Sequence, residues 1–215
     1  MQKVIAITGL KGSGKDTIAS IICKYDKSFK TIAFADRLKD ICAVMFSWDR
    51  EMLSGRFPES REWREKPDSF WSSELGIEFT PRKALTTIGT DLIRGTILAH
   101  IWDIAVKKEI LDNPNTNYVI TDCRFANELK MVHDLGGIVV QVERGEKPVW
   151  WSMAADYNLG KLGIDEPNEL KAIHPSERDW IGINNPQHIF YNNSTLENLE
   201  KEVIEYFKLF YGFTL

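Results

Sequence analysis

Five short apolar runs, at residues 4–8, 31–34, 118–121, 138–142 and 188–191, punctuate the chain, and most are followed by a stretch of helical periodicity. The runs are rich in β-branched and aromatic residues and almost continuously hydrophobic, as strands covered on both faces should be. Their alternation with helices predicts a parallel α/β sheet. The helices are equally legible. Leu196, Leu199, Val203, Phe207 and Phe210 recur at the 3.6-residue period, and Ser194-Thr195-Leu196-Glu197 has capping-box spacing at the start of that helix. Phe125, Leu129 and Val132 form a second stripe. Gly136-Gly137 follows it, where a left-handed residue can end the helix before the next strand. A longer pattern covers residues 81–111, with Gly89 and Gly95 predicting a bend or break inside it.

Two stretches fall outside this rhythm. Residues 49–78 carry Trp63 and Trp71, with five acids and five bases within 49–66, and read as an insertion with solvated faces. Residues 144–180 carry Trp150, Trp151 and Trp180 among scattered glycines and prolines with no period, the pattern of a lid or binding loop. The tryptophans suit a small lid core, or stacking on a base.

Composition narrows the function classes. With 215 residues, 43% of them hydrophobic, a single domain over residues 1–215 is expected. The formal charge of −4 gives no broad basic field for gripping nucleic acid, so any phosphate must be met locally. No apolar run approaches the roughly 20 residues of a membrane span, which points to a cytoplasmic protein. Cys23, Cys42 and Cys123 lie far apart with no zinc spacing and are expected to be reduced thiols.

The chemistry concentrates at the end of the first run. Gly9-Leu10-Lys11-Gly12-Ser13-Gly14-Lys15 matches G-x-x-x-x-G-K directly between a strand and a helical pattern, the context that makes such a loop credible. Its glycines let backbone N–H groups turn around a phosphate, the helix adds its positive end, and Lys15 reaches the outer phosphates of ATP. Asp16 stands where a magnesium-holding hydroxyl is usual, with Thr17 next to it. Either Asp16 serves Mg²⁺, or Thr17 does so while Asp16 caps the helix. Tyr118-Val119-Ile120-Thr121-Asp122 is an apolar strand ending in an acid, which makes Asp122 a second metal candidate or a helix cap. Arg37, Lys39, Arg82 and Arg124 sit at or near element boundaries, where bidentate cations can bridge two phosphates.

Gly12-Ser13-Gly14-Lys15-Asp16, Phe34-Ala35-Asp36-Arg37-Leu38-Lys39 and Asp122-Cys123-Arg124-Phe125-Ala126-Asn127-Glu128 together resemble the bacteriophage-type deoxynucleoside monophosphate kinases. His174-Pro175-Ser176-Glu177 is similar to a motif of the same group. The resemblance implies a three-layer P-loop kinase fold, in which a five-stranded parallel sheet is flanked by helices. It also implies an acceptor-binding helical region over residues 49–111 and a lid over 144–180. The implied reaction is in-line transfer of the γ-phosphoryl group of ATP, with Mg²⁺, to a deoxynucleoside monophosphate. Lys15, Asp122, Arg124 and Arg144 would be catalytic, and Gly9, Lys11, Gly12, Ser13, Gly14, Lys15, Asp16 and Thr17 would hold the donor. Asp16 and Asp122 would face the metal. Phe34, Asp36, Arg37, Lys39, Arg82, Thr90, Asp91 and Arg94 would meet the acceptor, although Asp91 could equally pair with Arg94 on the helix surface. Arg178 is a further lid candidate, and His174 suits a structural role at least as well as a catalytic one. A host-cytoplasm location follows if the origin is viral, and a homodimer is left open.

Two other readings compete. A kinase of another phosphorylated acceptor, such as dephospho-coenzyme A or phosphomevalonate, shares the phosphate loop. A nucleotide switch should carry an N-K-x-D run and a D-x-x-G directly after the third strand, and neither is present.

Overall fold

The structure, a computed structural model, describes residues 2–98 and 100–212, with the side chains at 90, 91, 94 and 97 outside the described set. In chain order it begins with β1 (Val4–Thr8), α1 (Lys15–Tyr25), β2 (Phe29–Ile32), α2 (Asp36–Phe46), α3 (Arg50–Ser54), α4 (Pro58–Glu65) and α5 (Ser69–Leu75). Next come α6 (Pro81–Thr86), a π-helical stretch over Thr87–Ile97, α7 (Ile101–Asp112), β3 (Asn117–Ile120), α8 (Ala126–Asp134) and β4 (Ile138–Glu143). The chain finishes with α9 (Trp151–Asn158), α10 (Asn168–Lys171), α11 (Pro175–Arg178), β5 (His188–Tyr191) and α12 (Leu196–Tyr211). Contacts divide it into two compact units, Met1–Ala33 with Val106–Leu215, and Phe34–Ala105.

The first unit holds a five-stranded parallel sheet in the order β2-β3-β1-β4-β5. Every residue of β1 is buried, as a central strand sandwiched between helices must be. Helices α1 and α12 pack on each other, and α8 packs on β1 and β4, giving the expected three-layer α/β fold. Ile5, Ile7, Ile18, Ile22, Val140, Phe190 and Phe207 are core residues at 1% exposure or less, so the helical stripes and the strand runs meet in one apolar interior. Among the described residues no helix is long and apolar enough to cross a membrane.

Element boundaries differ from the sequence pattern most clearly at β2 and at the start of α12. β2 begins two residues earlier than the 31–34 run: Ser28 N–H bonds Asp26 Oδ1 at 2.9 Å to close a turn, and the buried Phe29 then enters the sheet opposite Asn117. At α12 the cap is Thr195, whose Oγ1 accepts from Asn198 N at 3.3 Å, one residue later than the Ser194 capping box would have it. Gly136 does end α8, at φ 68°, and a side chain on Gly137 would press to 2.8 Å from the Val4 carbonyl.

The second unit is helical. Its insertion is not merely solvated, because Phe46, Trp48, Trp63, Trp71 and Phe79 gather into an aromatic cluster with centroids 4.5–6.1 Å apart. Two of the three indole N–H groups are satisfied: Trp48 donates to Asp68 Oδ2 at 2.8 Å and Trp71 to the Phe46 carbonyl at 3.2 Å. In the 81–111 pattern, the helix widens around Gly89, whose carbonyl accepts Trp102 Nε1–H at 3.1 Å and whose missing side chain admits Leu38. The break itself comes after Ile97, where Leu98 turns extended, rather than at Gly95.

Candidate functional site

The carboxyl ends of β1, β3 and β4 lie side by side in the sheet, and each is followed within three residues by a candidate: Gly9, Asp122 and Arg144. Between β1 and α1 the chain makes a glycine loop. Gly9 has φ 151°, and a Cβ there would lie 2.5 Å from the Val142 carbonyl oxygen. Gly14 has φ 112°, and its Cβ would lie 2.5 Å from Asn192 Nδ2, which itself donates to the Ser13 carbonyl at 2.8 Å. Only glycine fits at either point. Among the described residues, the backbone amides of Gly12, Gly14, Lys15, Asp16 and Thr17 have no hydrogen-bond partner, and the buried Ser13 Oγ has none either. Unpaired N–H groups at the start of an eleven-residue helix are the kind of donors that an anion needs.

Lys15 is almost fully buried, and its ammonium donates to the Gly9 and Leu10 carbonyls at 2.8 Å each. Burial pulls its pKa down from 10.5 to about 8, Arg124 pushes the same way, and Glu177, Asp16 and Asp122 oppose. The sign follows directly. The lysine is charged below about pH 8 and loses its proton as pH rises through that value. We therefore expect kcat/KM for the donor nucleotide to fall about tenfold per pH unit above about 8, measured as initial rates from pH 6.5 to 9.5. A profile flat to pH 9.5 would count against Lys15 as the binding cation. The same shift makes the buried ammonium a cost to folding. The unfolded chain holds the proton more tightly, so this residue's contribution to stability improves as pH rises from about 8 to 10.5.

The loop after β3 carries Asp122 and Arg124. Glu128, only 2% exposed, reaches back from α8 so that its Oε2 accepts from the amides of Arg124 at 2.7 Å and Phe125 at 3.1 Å. This buried carboxylate fixes the backbone from which Arg124 projects. The Arg124 guanidinium donates to Glu177 Oε1 at 2.8 Å and to Ser176 Oγ at 3.3 Å, and Glu177 Oε2 accepts the Lys11 amide at 3.0 Å. Asp16 is exposed in the first turn of α1 and makes no side-chain bond to a described residue, so helix capping does not occupy its carboxylate.

Arg144 is exposed just past β4. Next to it, the Gly145 amide donates to Asn193 Oδ1 at 2.7 Å, and the Asn192 amide donates to the Glu143 carbonyl at 2.8 Å. The turn after β5 thus holds both the phosphate loop and the root of the 144–180 segment. Inside that segment Trp180 is 1% exposed and meets Trp151 edge-on at 5.4 Å, so these two tryptophans build its core. Arg178 is buried, donating to the Ile173 carbonyl at 3.0 Å and pairing with Asp179 at 3.1 Å and with Glu166; it is an internal strut. His174 caps the turn that follows it, with Nδ1 accepting from Ser176 N at 3.2 Å. Just past the other end of the segment, the buried Asn184 donates to Thr8 Oγ1 at 3.0 Å and Gln141 Oε1 at 2.7 Å.

The acceptor candidates belong to the second unit. Asp36 receives Lys39 at 3.3 Å and Arg50 at 3.1 Å, while Asp40 receives Arg50 at 2.6 Å and Arg37 at 3.7 Å. The first turn of α2 is therefore a mesh of two acids and three bases, one of which, Arg50, sequence spacing did not single out. Phe34 is buried beside it in sequence, at 3% exposure. Arg82 is tied to Glu65 at 2.9 Å on an exposed face. The side chains of Thr90, Asp91 and Arg94 lie outside the described residues. Glu128, Asn184 and Asn192, none of which stood among the candidate site residues, prove to be the braces of the loop and its neighbours. Glu128 had a signal in its spacing from Arg124, and the two asparagines had none.

Comparison with known proteins agrees with this geometry. The profile of the deoxynucleotide monophosphate kinase family matches residues 61–153. A protein of Acanthamoeba polyphaga mimivirus, provisionally named a deoxynucleotide monophosphate kinase, is 30% identical over 213 residues, covering 94% of both chains. The deoxynucleoside-5'-monophosphate kinase of Escherichia phage T5 is 24% identical, covering 92% of this chain and 98% of its own. Among solved structures, a dephospho-CoA kinase from Campylobacter jejuni superposes over 96% of this chain and 97% of its own with 16% identity and a TM-score of 0.48, too loose a likeness to bear on substrate. With the strand-edge glycine loop, its buried lysine and a relative this similar along nearly its whole length, the chain belongs to the deoxynucleotide monophosphate kinase family.

Proposed function

We propose that this nucleoside monophosphate kinase moves the γ-phosphoryl group of ATP, in line, onto a deoxynucleoside monophosphate to give the diphosphate and ADP. The observation that carries the reading is the loop itself: five unpaired amides at a helix start, an unpaired buried Ser13 hydroxyl, and one buried ammonium supply donors for a triphosphate and for little else. On this reading Gly9, Lys11, Gly12, Ser13, Gly14, Lys15 and Thr17 hold the donor. Lys15 and Arg124 meet the charge that spreads over the transferring group, which is the main demand of phosphoryl transfer.

Mg²⁺ fits the acids at hand. Among the described residues no three-ligand metal cluster exists, and magnesium in such enzymes needs none, since it takes one or two carboxylates together with substrate phosphates and water. Asp16 and Asp122, both within the electrostatic reach of Lys15, would hold it. Bound there, it would neutralise phosphate charge. Phe34, Asp36, Arg37, Lys39 and Arg82, with Thr90, Asp91 and Arg94, would take the acceptor, and Arg50 joins them as the cation that orients Asp36. Residues 49–111 would then serve acceptor binding and 144–180 a lid, with Arg144 at its root facing the phosphates.

The test is an ADP-release assay with Mg-ATP against all deoxy- and ribonucleoside monophosphates plus dephospho-coenzyme A and phosphomevalonate. We expect turnover with one or more deoxynucleoside monophosphates. Turnover confined to a non-nucleotide acceptor would overturn the substrate assignment, and hydrolysis without stimulation by any acceptor would overturn the transferase reading.

A further inference from the structure

Glu177 touches both the glycine loop and Arg124. Its two oxygens are divided between them, Oε2 on the Lys11 amide at 3.0 Å and Oε1 on the Arg124 guanidinium at 2.8 Å. A backbone N–H of the loop and a guanidinium are the donor types that a terminal phosphate would use here, so a carboxylate is spending both on itself. Lys15 feels it too, since the Glu177 charge favours the lysine's protonated form.

The contact is built rather than casual. Glu177 sits in a turn braced on both sides, by His174 Nδ1 on the Ser176 amide and by Arg178, whose guanidinium is bonded to Ile173 O, Asp179 and Glu166. Asn158 Nδ2 adds bonds to the Arg178 and Ile181 carbonyls at 2.8 and 2.9 Å. Holding a long acidic side chain against the loop costs conformational entropy, and the braces spread that cost over the whole 174–181 turn.

Building on the donor site proposed above, we propose that Glu177 is an internal anion standing in for the donor's terminal phosphate: it neutralises Arg124 and the loop tip until a triphosphate arrives, and must be displaced for that phosphate to bind. The Lys11 amide has a single hydrogen, which Glu177 Oε2 already takes, and a second anion brought to the Arg124 guanidinium meets the Glu177 carboxylate at close range, so binding of a triphosphate and the Glu177 contact compete. Displacement frees the 174–178 turn, so arrival of the phosphate is coupled to a change at the lid. The price of this arrangement is affinity for triphosphate.

Glu177→Gln tests the idea, because it keeps the size of a side chain that is a quarter exposed and removes only its charge. Titration calorimetry with the β,γ-imido analogue of ATP and Mg²⁺, on the full chain at low ionic strength, should show the variant binding about tenfold more tightly than wild type, the equivalent of one charge-assisted hydrogen bond no longer competing. A matching thermal midpoint without ligand shows that the variant is folded. Equal or weaker affinity in the variant would overturn the proposal, because a carboxylate that must leave the Lys11 amide and Arg124 opposes the triphosphate, whereas one that assists bound nucleotide loses affinity when neutralised. Wild type that binds no triphosphate analogue at all would sink the donor-site reading and this proposal with it. The two failures are told apart by the wild-type titration alone.

Discussion

Lys15→Ala should lower kcat/KM by on the order of 10³-fold or more while leaving the fold intact. The size follows from what the ammonium does. It is the one cation buried within the loop, already desolvated and already aimed along the carbonyls of Gly9 and Leu10, so it meets developing phosphate charge with little reorganisation. The fold survives because burial works against that charge in the free chain, as its lowered pKa of about 8 records, and removing it takes away a cost as well as two hydrogen bonds. Steady-state kinetics with Mg-ATP, next to circular dichroism of the same sample, measures both halves. Turnover within tenfold of wild type would mean that phosphate is gripped elsewhere.

Arg124→Ala should cost on the order of 10³-fold in kcat, with a smaller loss of about tenfold in donor affinity because the guanidinium also meets the terminal phosphate. Arg124 is anchored through its backbone by Glu128 and presents its guanidinium to Glu177, a carboxylate that also touches the loop tip. That is the position of a group that meets charge passing between donor and acceptor, not of one that anchors the base. Arg124→Lys should recover little, since an ammonium cannot reproduce the planar two-pronged grip. The comparison of kcat with the Kd of the imido analogue decides the matter. A loss that falls on Kd alone would move Arg124 to the donor-binding set.

Sequence showed most clearly what is local. The strand, glycine loop and first helix fall within residues 4–25, where hydrophobic run, motif and helical period agree with one another, and the structure keeps all three in register. The same holds for α8, where the Asp122 to Glu128 run contains its own brace. What could not be read is what reaches across the chain. Asn192 supports Ser13 from 179 residues away, Asn184 holds Thr8 from 176, and Glu177 meets Lys11 from 166, with no periodicity to announce any of them. The aromatic cluster of the insertion was hidden for another reason. Its helices of five to eight residues are too short to show a period, and the charges around Trp63 read as solvated faces. The mesh of Asp36, Lys39, Asp40 and Arg50 likewise joins α2 to a cation that lies beyond the quoted motif.

The long reach from Asn192 to Ser13 has a consequence for synthesis. At ordinary elongation rates of ~5–20 residues per second, a stretch of 179 residues takes roughly 10–40 s to emerge. β1 must also wait, since both of its sheet neighbours, β3 and β4, are made after the entire helical unit. The glycine loop proposed to cradle the nucleotide is therefore translated early and assembled late. A ribosome stalled before β5 leaves a nascent chain that already carries the whole G-x-x-x-x-G-K signature yet has no shaped receptacle, which ties the onset of ligand recognition to completion of the distal end.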